Sequence, residues 1–177
     1  QSFIERLSPF ETGEAASAAQ MRVFESRLES LESMSSAAVT LEEPTGPDGP
    51  QQRAVLVSTS PSPRHVAEAG FSLSTSEGGG VSGAYKRRNL FGGDETLDVN
   101  LNLATVQSGL QVELTAPHWR RLGQALTLEA RTQREETDAY DLVEAGVGAR
   151  VSRPITDTLT LSAGADLSVS HSENETL

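Results

Sequence analysis

Hydrophobic positions change their spacing part-way along the chain. In the first third, apolar residues recur every three or four positions, at Ala18, Met21, Phe24, Leu28 and Leu31. This spacing predicts a helix from Glu14 to Ser33 with one buried stripe. After residue 64 the spacing becomes two, which is typical of strands with one apolar and one polar face.

The first third also predicts a hairpin beside the helix. Two short apolar runs, residues 37–41 and 53–58, flank a turn-rich segment with Pro44, Gly46, Pro47, Gly49 and Pro50. This arrangement predicts two antiparallel strands joined by a long loop. One helix on two strands is a thin core for about 60 residues, so we expect a further strand of this module before Gln1. Residues 1–60 are therefore predicted to be a partial α+β module.

Residues 61–64 form a short stiff linker, since Pro61 and Pro63 favour extended backbone and remove hydrogen-bond donors. The remaining residues, 65–177, contain seven alternating segments. Residues 97–103 are typical, with leucine and valine at odd positions and aspartate and asparagine at even ones. We predict an antiparallel meander in which a turn near Val106 places Leu103 opposite Leu110 and Leu101 opposite Val112.

Two interpretations of this sheet compete. A soluble β-rich binding domain needs an apolar core and normally supplies large aromatic side chains, whereas only 5% of this chain is aromatic. In a transmembrane β-barrel the Leu/Val/Ala face meets lipid and the polar face lines a wet lumen, where Arg131 lies near Glu144. The predicted strands are about 10 residues long, the length that a tilted strand needs to cross a bilayer. The pattern favours the barrel, and since bacterial barrels have an even strand number we expect more strands after Leu177.

Charge and composition exclude several other functions. The chain has 14 Lys and Arg against 25 Asp and Glu, a net charge of -11, so no nucleic-acid partner is expected. The absence of cysteine excludes disulfides, thiolate zinc sites and a cysteine nucleophile. His65, His118 and His171 are far apart in the sequence, and no catalytic constellation accompanies them. We therefore expect no enzyme activity, no cofactor and no metal.

Several short motifs carry a resemblance to a known family. They are the run Phe71 to Gly80 with its three glycines, the turn Arg88 to Asp94 with Asn-Leu-Phe-Gly, and Ala116-Pro117-His118-Trp119. Together with residues 7–14 and 28–31 upstream, they resemble the BamA/TamA family of POTRA-containing outer-membrane assembly factors. POTRA denotes the polypeptide-transport-associated domain of such proteins.

The resemblance implies a fold, a location and partners. Residues 1–60 would be the C-terminal part of the last POTRA domain, in the periplasm. Residues 65–177 would be the first seven strands of an outer-membrane barrel of about sixteen. The implied function is insertion or translocation of unfolded outer-membrane protein clients through a barrel seam, with the lipid bilayer and a periplasm-spanning inner-membrane protein as further partners. A two-partner secretion transporter is the alternative within the same architecture.

Two strand edges are the candidate functional sites. The first is the barrel edge predicted to pair with client strands, at Ala67, Ala69, Gly70, Phe71, Ser72, Leu73 and Ser74. An ordinary, fully paired barrel strand would have the same residues. The second, implied by the resemblance, is the outer edge of the POTRA sheet at Ala38, Val39, Thr40 and Leu41. A solvated edge protected by Glu42, Glu43 and Pro44 is its alternative.

Two features near strand ends concern lipid. Alternation sends Arg87 outward with Tyr85 and turns Lys86 and Arg88 inward, so Arg87 is a candidate for lipid phosphate. Charges solvated in the lumen or headgroup zone are the alternative. Trp119, beside Arg120 at a turn, fits an interfacial anchor.

Overall fold

The computed structural model describes residues 3–11, 17–42, 54–74, 78–137, 140–156 and 158–174. The chain divides into two compact units, residues 1–63 and 64–177.

The first unit places two helices and a two-stranded sheet around one core. Its elements are α1 (Phe3–Leu7), α2 (Ala18–Glu29), β1 (Met34–Leu41) and β2 (Val55–Pro61). The strands β1 and β2 pair antiparallel, with Val39 opposite Val57. The buried hydrophobic residues of the core are Leu7, Phe24, Leu28, Leu31 and Ala37. Within the part of the chain that the structure describes, no helix is long and apolar enough to span a membrane.

The helix α2 is shorter than the predicted span from Glu14 to Ser33. A capping box sets its start, because the Ser17 Oγ accepts from the Gln20 backbone N–H (3.1 Å) and the Gln20 Oε1 accepts from the Ser17 N–H (2.9 Å). The helix ends at Glu29, where the Ser30 N–H still donates to the Ser26 carbonyl. The predicted first residues at 14–16 lie outside the described residues.

The second unit is a seven-stranded antiparallel meander in which each strand pairs only with its sequence neighbours. Its strands are β3 (His65–Ser74), β4 (Gly78–Arg88), β5 (Thr96–Ala104), β6 (Gln107–Ala116), β7 (Ala125–Glu136), β8 (Tyr140–Thr156) and β9 (Leu159–Asn174). The predicted strand number and antiparallel order are confirmed. Over the described residues β3 and β9 are the two edges, and the sheet is not closed.

The register between β5 and β6 differs from the predicted one by two residues. Leu101 lies opposite Leu110, and Leu103 lies opposite Ser108. The turn is tighter than predicted, because the Ser108 Oγ donates to the Ala104 carbonyl at 3.2 Å and only two residues separate the strands. Because the shift is an even number, every side chain keeps its predicted face.

The two faces of the meander differ in polarity along its whole width. One row across the strands is polar or small, with Ala84, Asn100, Gln111, Arg131, Gly146 and Ser168. The adjacent row on the opposite face is Tyr85, Val99, Val112, Ala130, Val147 and Leu167. We call these the polar face and the apolar face. The buried hydrophobic residues among those described all belong to the first unit, so the apolar face has no core of its own.

Candidate functional site

The predicted client-pairing residues lie on β3, an edge strand of the meander. β3 pairs with β4 from His65 opposite Arg87 to Ser74 opposite Gly78, and no described strand pairs with its other side. Phe71 and Leu73 are 86% and 93% exposed on the apolar face. Within the described residues, the backbone groups on that side of β3 therefore have no strand partner, and they lie next to exposed apolar side chains.

On the polar face of the β3–β4 hairpin, Gly70 and Gly80 each lie close to a serine side chain of the neighbouring strand. A Cβ on Gly70 would lie 2.6 Å from the Ser82 Oγ, and a Cβ on Gly80 would lie 2.7 Å from the Ser72 Oγ. At the far end of the hairpin, the His65 Nδ1 and the Tyr85 hydroxyl share a hydrogen bond of 2.8 Å. No ion pair joins β3 to β4 among the described residues, so this hairpin depends mainly on its backbone ladder.

On the polar face of β7 to β9, by contrast, ion pairs of Arg131 link the strands. Its guanidinium lies 3.6 Å from the Glu129 carboxylate, 3.7 Å from that of Glu144 and 3.1 Å from that of Asp166. The contact with Glu144 confirms the predicted neighbourhood. The contact with Asp166 is bidentate, with both hydrogen bonds at 3.1 Å. Sequence patterning missed Asp166, because β8 lies between the two residues.

A hollow of about 620 Å³ lies against the polar face. Its lining includes Glu68, Asn100, Gln111, Glu129, Arg131 and Glu144. The Gln111 Nε2 donates to the Glu129 carboxylate at 3.3 Å, so the side chains of β6 and β7 are linked. Buried polar side chains with no partner are absent from the described part of the chain. The arrangement is that of an open polar surface on which side chains of neighbouring strands bond to one another.

The three histidines remain separate, as their positions in the sequence suggest. His65 bonds to Tyr85, the His118 Nδ1 accepts from the Gly123 N–H at 3.2 Å, and His171 contacts Glu173 at 3.3 Å. No group of three or more His, Asp or Glu with metal-binding geometry occurs within the described ranges.

The second candidate edge lies on β1. Ala38, Val39, Thr40 and Leu41 pair with β2 on one side only, and no described strand covers the other side. Val39 packs against the core of the first unit, whereas Ala38 and Thr40 are exposed. The predicted protection by Glu43 and Pro44 lies outside the described residues. Glu42 extends the hairpin by donating its N–H to the Ala54 carbonyl at 2.9 Å.

Residues 89–176 match the family model of the Omp85 superfamily domain. The Omp85 match begins in the β4–β5 connection and runs through β5 to β9.

A solved structure supports the same fold for nearly the whole chain. The chain is similar to BamA from Haemophilus ducreyi lacking POTRA domains 1–3, with a TM-score of 0.76 and 14% sequence identity. The similarity covers 97% of this chain and 33% of that one, so the chain spans about a third of the BamA structure. No match was found among curated proteins. At this identity the likeness shows the fold, and the meander is the counterpart of part of a barrel.

Proposed function

We propose that the chain forms the opening strands of an outer-membrane β-barrel protein of the assembly or secretion kind. In this proposal the free edge of β3 receives a strand of an unfolded outer-membrane client, and the role is not enzymatic. The observation that carries the proposal is the open meander, which combines an unpaired edge strand with an exposed apolar face. The Omp85 match and the BamA-like fold support it.

The exposure of the apolar face argues for lipid as its surroundings. Leu103, Leu167 and Val169 are 50%, 69% and 70% exposed. Removing such a side chain fully from water is worth roughly 1.5–3 kcal/mol, so a whole face of them left in water would forgo this stabilisation. A soluble β-rich domain would bury this face against its own core, and the described residues of the second unit supply no such core.

The edge of β3 would act through backbone hydrogen bonding. In hydrocarbon an unpaired N–H or carbonyl has no water to bond, and each such group costs several kcal/mol. A client strand that pairs with β3 removes that cost for both chains. Recognition through the backbone depends little on client sequence, which suits a factor that handles many clients.

The first unit supports a second, periplasmic role. We propose that it is the C-terminal part of the last POTRA domain and that residues 38–41 of β1 add a strand from a client or from a periplasm-spanning inner-membrane protein. The exposed, one-sided pairing of β1 favours this role. Within the family, the motifs around Phe71 and Asn89 favour TamA, and a two-partner secretion transporter that exports a single substrate is the alternative.

A photo-crosslinking experiment tests the β3 edge in the full-length protein. A photoreactive amino acid at Ser72 should crosslink to a client during its assembly, whereas the same group at Gln111, in the middle of the meander, should not. Equal crosslinking at both positions, or none at Ser72 while clients assemble normally, would refute the role of this edge.

A proline pair provides a backbone test of the same edge. Because consecutive residues of a strand point their N–H groups to opposite sides, Ala69→Pro and Gly70→Pro remove one donor toward β4 and one toward the free edge. The variant that loses the free-edge donor should fold and lose client assembly, and the other should disrupt the β3–β4 hairpin. Heat-modifiable gel migration reports which variant folds. Normal client assembly by the folded variant that lacks the free-edge donor would contradict the proposal.

The β1 edge needs its own test. Proline scanning of residues 38–41 should weaken binding of a client or inner-membrane protein at one or two alternate positions without unfolding the first unit. Val39→Pro serves as a folding control because its side chain packs on the core. Unchanged binding throughout the scan would remove this role and leave the barrel proposal intact.

A further inference from the structure

The two ends of the meander carry opposite charge. The connections β4–β5, β6–β7 and β8–β9 leave one end, and residues 86–96, 116–125 and 151–160 there include six Lys and Arg against three Asp and Glu. At the other end, residues 72–80, 103–109 and 133–142 include one Arg against five Asp and Glu. We call the first the arginine end. Its positive charge stands out in a chain with a net charge of -11.

Four arginines of this end are exposed to solvent. They are Arg87, Arg120, Arg121 and Arg153, and none forms an ion pair with a carboxylate that the structure describes. Lys86 differs, because its Nζ lies 3.4 Å from the Asp98 carboxylate on the polar face. The exposed guanidiniums are therefore available to an external anion, and their planar fork suits a phosphate.

Exposed apolar side chains accompany these arginines in each of the three hairpins. Phe91 is 75% exposed in the β4–β5 connection, and Leu122 is 45% exposed in the β6–β7 connection. Ile155 is 54% exposed near the end of β8, just before the β8–β9 connection. Trp119 also lies in the second connection, with the Arg120 guanidinium 4.5 Å from its ring centroid. A cation next to an apolar or indole side chain is typical of a membrane interface.

The β4–β5 connection holds Phe91 outward by a defined set of bonds. The Glu95 Oε2 accepts from the N–H groups of Phe91 (3.1 Å) and Gly93 (3.0 Å), and the Asn89 Oδ1 accepts from the Asp94 N–H (3.3 Å). Asn89 and Asp94 have positive φ angles of 55° and 69°. Asn and Asp adopt this left-handed backbone readily, and together with the hydrogen bonds it holds the loop in the conformation that exposes Phe91.

We propose that the arginine end is a docking surface for the headgroups of anionic glycerophospholipids. The arginines bind the phosphates, and Phe91, Leu122 and Ile155 enter the boundary of the acyl region. The inference rests on the proposed function, since it needs the meander to cross a bilayer. A protein partner is less suitable, because the arginine and apolar pairs are spread over three successive connections along the sheet end, as a membrane plane requires.

A lipid-selectivity measurement tests the binding of phosphate. The full-length protein is reconstituted in phosphatidylcholine vesicles with and without phosphatidylglycerol, and its preference for spin-labelled phosphatidylglycerol is measured. Arg121→Gln should lower this preference by up to roughly fivefold, and the combined R87Q, R120Q, R121Q and R153Q variant should abolish it. Arg150→Gln is the matched control, since Arg150 is exposed on the polar face and has no described ion-pair partner.

A depth measurement tests the apolar contact independently. Nitroxide labels at Leu122→Cys and, in a second variant, at Ile155→Cys should lie at the depth of the headgroups. A label at Gln107→Cys, at the opposite end of the meander, is the control, and its depth should not depend on phosphatidylglycerol. Labels at all three positions with equal access to water would overturn the inference.

The outcomes separate this inference from the proposed function. Insertion into all vesicles with no phosphatidylglycerol preference, or with the preference unchanged in the combined variant, overturns the docking surface alone. A preference for lipopolysaccharide alone would assign the arginine end to the leaflet that contains lipopolysaccharide, and it would also overturn the docking surface for glycerophospholipids. Failure to insert into any vesicle, judged by heat-modifiable migration and protease protection, overturns both.

Discussion

The Arg131 guanidinium reaches across β8 to hold the Asp166 carboxylate of β9 with two hydrogen bonds of 3.1 Å. The Arg131 side chain can cross β8 because the β8 residues on the polar face between Arg131 and Asp166 are Gly146 and Gly148, which have no side chains. A Cβ on Gly146 would lie 3.3 Å from the Arg131 Cζ, and a Cβ on Gly148 would lie 3.0 Å from the Asp166 Oδ2. The bond therefore links β7 to β9 across β8, whereas no ion pair joins β3 to β4 among their described residues.

The first prediction concerns this bond. Arg131→Met should lower the midpoint of thermal unfolding of the full-length protein, and the loss should be larger at low salt, because the contacts with Glu129, Glu144 and Asp166 are partly exposed. Arg131→Lys should recover only part of the stability, since lysine cannot form the bidentate contact. Heat-modifiable gel migration in detergent measures the midpoint.

Arg150→Gln is the control for this prediction. It removes one positive charge from the same face without breaking a described ion pair. If Arg131→Met and Arg150→Gln had the same midpoint, a general charge effect would account for the change, and the bridging role of Arg131 would be wrong.

A second prediction follows from the space above Gly146. Gly146→Val should displace the Arg131 guanidinium and weaken its bond to Asp166, which would reproduce much of the effect of Arg131→Met. Gly83→Ala is the matched glycine control, because its Cβ would lie 3.9 Å from the Glu68 carbonyl, an ordinary contact. The double variant Gly146→Val with Arg131→Met should be little less stable than either single variant. Additive losses would contradict a shared mechanism.

The sequence predicts the faces of the meander better than its register. Alternation assigned Leu101 to the apolar face and Asn100 to the polar face correctly, because burial and lipid contact depend only on the period of two. The pairing of Leu103 was wrong by two residues, since turn geometry decides it and the run around Val106 lacks the glycine pairs that identify a tight turn.

The candidate site shows the same limit. The contact between Arg131 and Glu144 follows from one hairpin, and the structure confirms it at 3.7 Å. Asp166 lies 35 residues from Arg131. Its contact with Arg131 depends on the side-by-side order of three strands and on a glycine, which has no side chain, at position 146 between them. In the first unit, Ser17 and Gln20 form a capping box that the sequence does contain, and a helix start taken from apolar spacing alone overlooked it.

A third prediction concerns the core of the first unit. Leu28 is fully buried, so Leu28→Ala should destabilise this unit by about 2–5 kcal/mol through lost burial and a residual cavity. Val23 lies on the same helix at 46% exposure, and Val23→Ala should change stability by no more than about 0.5 kcal/mol. Hydrogen exchange of residues 18–29 in the full-length protein measures both. Equal protection in the two variants would show that α2 does not depend on this core.

The last prediction asks directly what the apolar face touches. Leu101 lies near the middle of β5 on that face, and Asn100 precedes it on the polar face. If the apolar face contacts hydrocarbon, Leu101→Lys should cost about 2–4 kcal/mol of folding free energy in a bilayer, because a charge near the midplane loses its hydration. Asn100→Lys places the same charge in the wet interior and should cost far less. The folded fraction in vesicles across a urea series measures both variants, and equal stability would mean that water or protein, and not lipid, covers Leu101.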